Sequence, residues 1–212
     1  MEIAPRVWTR AIEWSYGDYE EPLSVHVARP AETAVLIGGG EESIASDVVT
    51  FAREYDVEAV VVEHAHVDHY GAVPALRDEL DVTVAAPARD RSALAQAGID
   101  VDVALRDGGA RWGIEPIATP GHTPGNMAYQ AGDVLFAGDT VVGSDSAFAA
   151  DDDWSGPLAV IESRFNHDDA RARESVHRLA DVRVGTILVS HGSHVLGDAK
   201  AAVETLLTDL ER

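Results

Sequence analysis

The sequence predicts an α/β protein, and three observations predict it. An apolar run, Ala59-Val60-Val61-Val62, leads directly into His64-Ala65-His66-Val67-Asp68-His69. A Val-rich run of that length reads as a buried strand, and the loop at its C-terminal end is where sites in α/β proteins lie. Along most of the chain, short apolar runs alternate with segments whose apolar residues recur at helical spacing. Finally, His122, Asp139 and His191 each again follow a strand-like run.

In order, residues 3–9 and 23–29 read as strands with Gly17-Asp18 turn chemistry between them. Ala34-Val35-Leu36-Ile37 is a third, stopped by Gly38-Gly39-Gly40, which lacks the Lys-Ser/Thr pair of a phosphate loop. Residues 42–54 form a helix on the stripe Ile44, Val48, Val49 and Phe51. After the His64–His69 loop a helix begins with Pro74 near its first turn. Residues 82–86 are a strand and 89–97 a helix closed by Gly98. Strands over 99–105 and 114–118 flank a Gly108-Gly109 turn, and 127–129 with 133–136 make a hairpin around Gly132. Residues 143–157 read as a long functional loop with Phe148 and Trp154 exposed. A helix over 168–179, a strand over 187–189 and a helix over 198–210 close the chain. No linker or repeat divides it, so one domain over residues 1–212 is expected.

Composition narrows the chemistry. With 46% hydrophobic residues the chain can bury a substantial core. Cysteine is absent, so metal ligands must be His, Asp or Glu. Residues 1–10 lack an apolar core of signal-peptide length, and no apolar stretch approaches the ~18 residues of a membrane span. A soluble, cytoplasmic protein is expected. The net charge is −21, and Lys200 is the only lysine among 16 basic residues. Such a surface repels phosphate backbones and anionic membranes, which argues against nucleic acid and membrane as partners; a small-molecule substrate is expected, with a cationic partner as the other use of the acidity. Its acids are scattered, apart from Asp151-Asp152-Asp153, as in proteins of salt-loving organisms.

The ligand-rich loop carries its own geometry. In extended backbone His64 and His66 point to one side. Asp68 and His69 follow where the chain turns toward a helix and aim elsewhere, an arrangement suited to two neighbouring metals. His122 stands in Thr119-Pro120-Gly121-His122-Thr123-Pro124-Gly125, Asp139 in Gly138-Asp139-Thr140 and His191 in Ser190-His191-Gly192. Imidazole and carboxylate donors suit zinc, iron or manganese.

In this order and wording, the motifs resemble the metallo-β-lactamase superfamily over nearly the whole chain. The resemblance implies a four-layer αββα sandwich of two mixed sheets with outer helices. It also implies two divalent ions, Zn2+ first and Fe or Mn as alternatives. His64, His66 and His122 would hold one ion, and Asp68, His69 and His191 the other, with Asp139 bridging. A bridging hydroxide would attack, with Asp68 orienting it as the catalytic carboxylate. Three departures fall beside the ligands. The family's first glycine-rich turn commonly carries an aspartate before its glycine, where this chain has Leu36-Ile37-Gly38-Gly39-Gly40; Glu63 replaces a common threonine; and Tyr70-Gly71-Ala72 replaces residue-Gly-Gly. His26, His167 and His177 have no motif role, and His194 reads as an ordinary surface histidine, with lining of the pocket as its alternative.

The fold hosts many reactions. Nucleic-acid-processing members carry an inserted domain or a basic arm, flavin-linked di-iron members have Glu in place of the second His, and secreted β-lactamases carry a signal peptide. The expected function is a glyoxalase II-like hydrolase of a small thioester, ester or lactone. Only 21 residues follow His191, too few for the helical domain that grips glutathione in glyoxalase II itself. The alternative is a persulfide dioxygenase-like enzyme with one iron on His64, His122 and Asp139. A non-catalytic metal-binding protein stands behind both.

Overall fold

In the computed structural model, which describes all 212 residues, the first half of the chain builds one sheet in strict sequence order. β1 (Glu2–Ala4), β2 (Val7–Tyr16), β3 (Tyr19–Ala28), β4 (Ala34–Ile37), β5 (Val57–Val61), β6 (Thr83–Pro87) and β7 (Val103–Leu105) lie side by side. The first four pair antiparallel, and β4 through β7 pair parallel. Parallel neighbours need crossovers. These are α1 (Ala45–Glu54), then α2 (Val67–Tyr70) with α3 (Val73–Leu80), then α4 (Arg91–Gln96).

The second half contributes β8 (Glu115–Ala118), β9 (Met127–Ala131), β10 (Val134–Phe136), β13 (Thr186–Leu188) and β14 (Val195–Leu196), ordered β14-β13-β10-β9-β8. A separate pair, β11 (Val142–Gly143) and β12 (Leu158–Ala159), lies between them in sequence, and α5 (Asp169–Val176) and α6 (Ala199–Leu210) complete the chain.

Side-chain alternation stacks these parts into four layers. Val35, Ile37, Ala59 and Val61 point from the first sheet into a cluster with Tyr129, Phe136 and Leu188 of the second. Their neighbours Leu36, Val60 and Val62 point the other way, onto Val48, Val49 and Phe51 of α1 and Leu76 of α3. In the second sheet Leu135 and Ile187 turn outward onto Val176, Val203 and Leu206 of α5 and α6. The period of two thus sorts one apolar run into two cores, each fully buried large side chain contributing about 1.5–3 kcal/mol. The architecture is the expected αββα sandwich.

Several boundaries differ from the sequence reading. The strand over 3–9 breaks at Pro5-Arg6, where Pro5 has no N–H for the ladder and Arg6 takes φ +63°. The strand over 23–29 starts earlier, at Tyr19, because Gly17 (φ +59°) supplies the left-handed first position of a two-residue hairpin loop closed by the Tyr16–Tyr19 pair. The strand over 99–105 shrinks to β7, with Ile99 and Val101 buried from irregular backbone. The helix over 168–179 tightens to a 3₁₀ turn at His177. The 143–157 loop does not expose its aromatics: Phe148 is buried and Trp154 half-buried. No helix is long and apolar enough to cross a membrane.

Candidate metal centre

All seven candidate ligands meet at one rim of the sandwich. β10 and β13 are parallel neighbours, so the segments leaving them, with Asp139 and His191, emerge together. β8 runs in the same direction, since two antiparallel pairings separate it from β10, and brings the His122 loop to that edge. β5 delivers His64–His69 from the opposite sheet. Backbone bonds join the two sheets there: Met127 N–H donates to Glu63 O at 3.1 Å and Ser24 N–H to Ser190 O at 2.9 Å. The Tyr129 hydroxyl donates to Val62 O at 3.1 Å.

The side chains sort into two groups, His64/His66/His122 and Asp68/His69/Asp139/His191, each with its ligand atoms within 4.8 Å of one another. Asp139 stands between them. Its Oδ2 lies 3.3 Å from His122 Nε2 and 3.8 Å from His64 Nε2. Its Oδ1 lies 3.4 Å from His69 Nε2 and 3.8 Å from His191 Nε2. Asp68 Oδ2 approaches His191 Nε2 at 3.2 Å and His69 Nε2 at 3.5 Å.

Electrostatics separate the groups. Burial pushes His64 well below its ordinary value, helped by His69 and His122. Burial and the neighbouring His122 bring His66 down to about 4. Burial would also lower His191, but Asp139 and the bonds to Asp68 and Glu21 outweigh it and raise the ring to about 9. His69 is likewise raised against its burial by Asp139, Asp68 and Glu63. Asp139 and Asp68 are held well below the carboxylate range despite burial, His69 being the largest opposing influence on each.

The donor set fits divalent cations. His64 Nε2 and His122 Nε2 face each other at 3.2 Å, two lone-pair atoms that an imidazole-binding ion would bring to a common point. His69 Nε2 and Asp139 Oδ1 are buried without a hydrogen-bond partner, both on the side facing the other ligands. Borderline-soft nitrogen and carboxylate oxygen together suit zinc, iron or manganese.

A supporting shell was invisible to the sequence reading. His191 Nδ1 lies 3.1 Å from Glu21 Oε1, and His122 Nδ1 lies 2.9 Å from Asn166 Oδ1. Asp90 accepts from Thr123 Oγ1 at 2.5 Å and from Ala65 N–H at 3.0 Å, tying together the two loops that carry His122 and His64. Thr119 and Thr140 hydroxyls lie 2.7 Å apart and join the His122 loop to the Asp139 turn. Two of the departures meet in space. Glu63 is buried, its Oε2 lies 3.2 Å from His69 Nδ1, and its Oε1 lies 3.4 Å from where a Cβ on Gly38 would sit. Glu63 thus brings a carboxylate against the glycine turn from the segment that leaves β5. His194 is not an ordinary surface residue: its half-buried ring accepts from Val189 N–H at 3.3 Å and lies 3.3 Å from Thr9 Oγ1.

The sequence profile of the metallo-beta-lactamase superfamily matches residues 20–191. A probable metallo-hydrolase of Bacillus subtilis is 28% identical over 206 residues, covering 77% of this chain and 76% of that protein. A hydroxyacylglutathione hydrolase of Methylobacillus flagellatus is 32% identical over 93 residues, 44% of this chain and 37% of the relative. For that of Bdellovibrio bacteriovorus the values are 32% over 120 residues, 53% and 45%. The chain therefore spans less than half the length of these hydroxyacylglutathione hydrolases. Among solved structures, a metallo-beta-lactamase from Pontibacter korlensis superposes with TM-score 0.75 at 21% identity, covering 100% of this chain and 98% of that one. The DIM-1 metallo-beta-lactamase does so with TM-score 0.78 at 16% identity, covering 100% and 95%. These structural likenesses show a shared fold.

Proposed function

Since the chain belongs to the metallo-beta-lactamase superfamily, we propose that it is a metal-dependent hydrolase of a small thioester, ester or lactone. In this reading His64, His66 and His122 would hold one divalent ion and Asp68, His69 and His191 a second, with Asp139 available to both. The observation that carries it is the division of the Asp139 carboxylate, with one oxygen toward each group of imidazoles. Such ions supply a nucleophile at neutral pH and polarise a carbonyl.

The chain's own residues supply the rest. Asp68 has a depressed pKa, so it is ionised at neutral pH and acts as an acceptor. Its Oδ2 faces His191 and His69, which leaves Oδ1 to accept from the attacking water and orient it. Glu63, Glu21 and Asn166 fix the rings of His69, His191 and His122 through Nδ1, so that Nε2 of each faces the centre. The matches to hydroxyacylglutathione hydrolases favour thioester chemistry within this class.

A second reading rests on His64 Nε2, His122 Nε2 and Asp139 Oδ2, which form a compact trio. Two His and one carboxylate suit a single iron(II) in an oxygen-using enzyme such as a persulfide dioxygenase. Elemental analysis with a panel of thioesters, lactones and persulfides separates the two. The hydrolase is expected to hold about two metals per chain, to turn over without oxygen and to lose most activity in His69→Ala. One iron per chain, oxygen uptake on glutathione persulfide and tolerance of His69→Ala would replace it with the second reading.

A further inference from the structure

A cleft of ≈ 240 Å3 has His66, Asp68, His122, Asp139 and His191 on one side, and the rest of its wall is mostly aromatic. Trp14 and Tyr16 come from β2, Phe148 from the segment after β11, and Phe165 from a 3₁₀ turn at Ser163–Phe165. The rings form a continuous surface, with centroids 5.9 Å apart for Trp14–Phe148, 5.5 Å for Phe148–Phe165 and 6.4 Å for Tyr16–Phe165. That surface runs onto the site itself, since the Phe148 ring lies 4.7 Å from the His191 ring. Four large hydrophobic side chains are exposed in the whole molecule, and two of them, Tyr16 and Val67, line this cleft. Apolar surface left open beside a reactive site marks where a ligand covers it.

Charge points the same way. The one Arg or Lys in the cleft wall is Arg164, and its charge is already used. Its Nε lies 2.9 Å from Glu162 Oε2, its Nη2 donates to Glu162 Oε1 at 3.1 Å, and its guanidinium packs on the rings of Tyr19 and Phe165 at 5.1 and 4.8 Å. A ligand bearing several carboxylates meets no unpaired basic side chain here, on a protein of net charge −21. The volume is also below the ~300–1,000 Å3 of pockets that enclose drug-sized ligands.

We propose that the cleft binds an uncharged, apolar acyl or aryl group, so that the substrate is a small hydrophobic thioester, ester or lactone and not a conjugate of a charged tripeptide such as glutathione. The inference rests on the hydrolase reading for the reaction and on the cleft alone for recognition. Substrate enters with its reacting carbonyl at the candidate metal centre and its apolar group along the Trp14–Phe165 wall.

The test uses the metal-loaded protein in two arms. In the kinetic arm, acetyl, butyryl and hexanoyl thioesters of one neutral thiol are compared with S-lactoylglutathione. The value of kcat/KM should rise toward about fourfold per added methylene, with S-lactoylglutathione below the hexanoyl compound. Tyr16→Ala and Phe165→Ala should each cut the hexanoyl-to-acetyl ratio at least about threefold. In the binding arm, 2-octanone, 2-butanone and S-methylglutathione are titrated by ligand-observed NMR. The octanone should bind at least about tenfold more tightly than the butanone, and S-methylglutathione should not displace it. If nothing is hydrolysed, the hydrolase reading falls and the binding arm still decides the cleft. A flat chain-length response, or preference for either glutathione compound, overturns the inference and leaves the hydrolase standing.

Discussion

Asp139 divides one carboxylate between two sets of imidazoles, with less than 4 Å from each oxygen to two ring nitrogens. Under the proposed two-metal reading, Asp139→Ala would remove the shared anion and leave the repulsion between the two cations less compensated. The variant is expected to lose activity by about 100-fold or more while keeping its far-UV circular dichroism; full activity with unchanged metal content would sink the assignment. Glu63 acts through His69. Replacing it by Gln keeps the size and removes the charge that makes His69 a stronger donor, and a loss of about 10–100-fold in metal affinity is expected. Competition with a fluorescent chelator measures this, and an unchanged affinity would reduce Glu63 to a space-filling role. The seven candidate ligands could be picked out in the sequence because each sits in a short motif that ends a strand. Glu21 was not, because 170 residues separate it from His191 and only the fold brings them together. Glu63 was visible as an oddity beside the first ligand, but its partner was not, since the empty space at Gly38 exists only once β4 and β5 pair.

At the scale of elements, the His122 loop depends on how closely it approaches α5. Gly121 has φ +137°, and a Cβ there would lie 2.1 Å from Ala172 N and 2.3 Å from Ala172 Cα. The nearest atoms are backbone, so the helix or the loop must move. Gly121→Ala is expected to destabilise by about 1–3 kcal/mol or more, lowering Tm by roughly 2–12 °C at this chain length, and to release metal from the displaced His122. Calorimetry with elemental analysis checks both, and a variant that melts unchanged with full metal would show that the contact yields. The same loop shows why element boundaries were harder to read than elements. The hairpin of β9 and β10 was legible from Gly132 and its flanking apolar runs. The burial of Phe148 depends on contacts with Trp14 and Tyr19, which lie far off in sequence.

Over the whole molecule, 37 acidic residues face 16 basic ones. Self-repulsion of that size opposes the folded state, and added salt screens it because the Debye length falls from ~10 Å at 0.1 M to ~3 Å at 1 M. Raising potassium chloride from tens of millimolar to molar should therefore raise Tm, by about 4–8 °C if screening recovers about 2 kcal/mol. A flat or falling curve would remove the halophile interpretation and point to a cationic partner. The succession of strand-like and helix-like segments was legible in the sequence and the four layers were expected from the family resemblance, whereas the join between the sheets was not, since no periodicity reports which two faces meet. That join lies at the rim of the candidate metal centre, where Met127 binds Glu63, Ser24 binds Ser190 and Tyr129 binds Val62. Two sheets stitched along one margin behave like a book held at its spine. Opening fluctuations start at the free margin, and the amides of Ser24 and Met127 should be among the last to exchange with deuterated solvent. The candidate ligands would then stand on the part of the molecule that opens last.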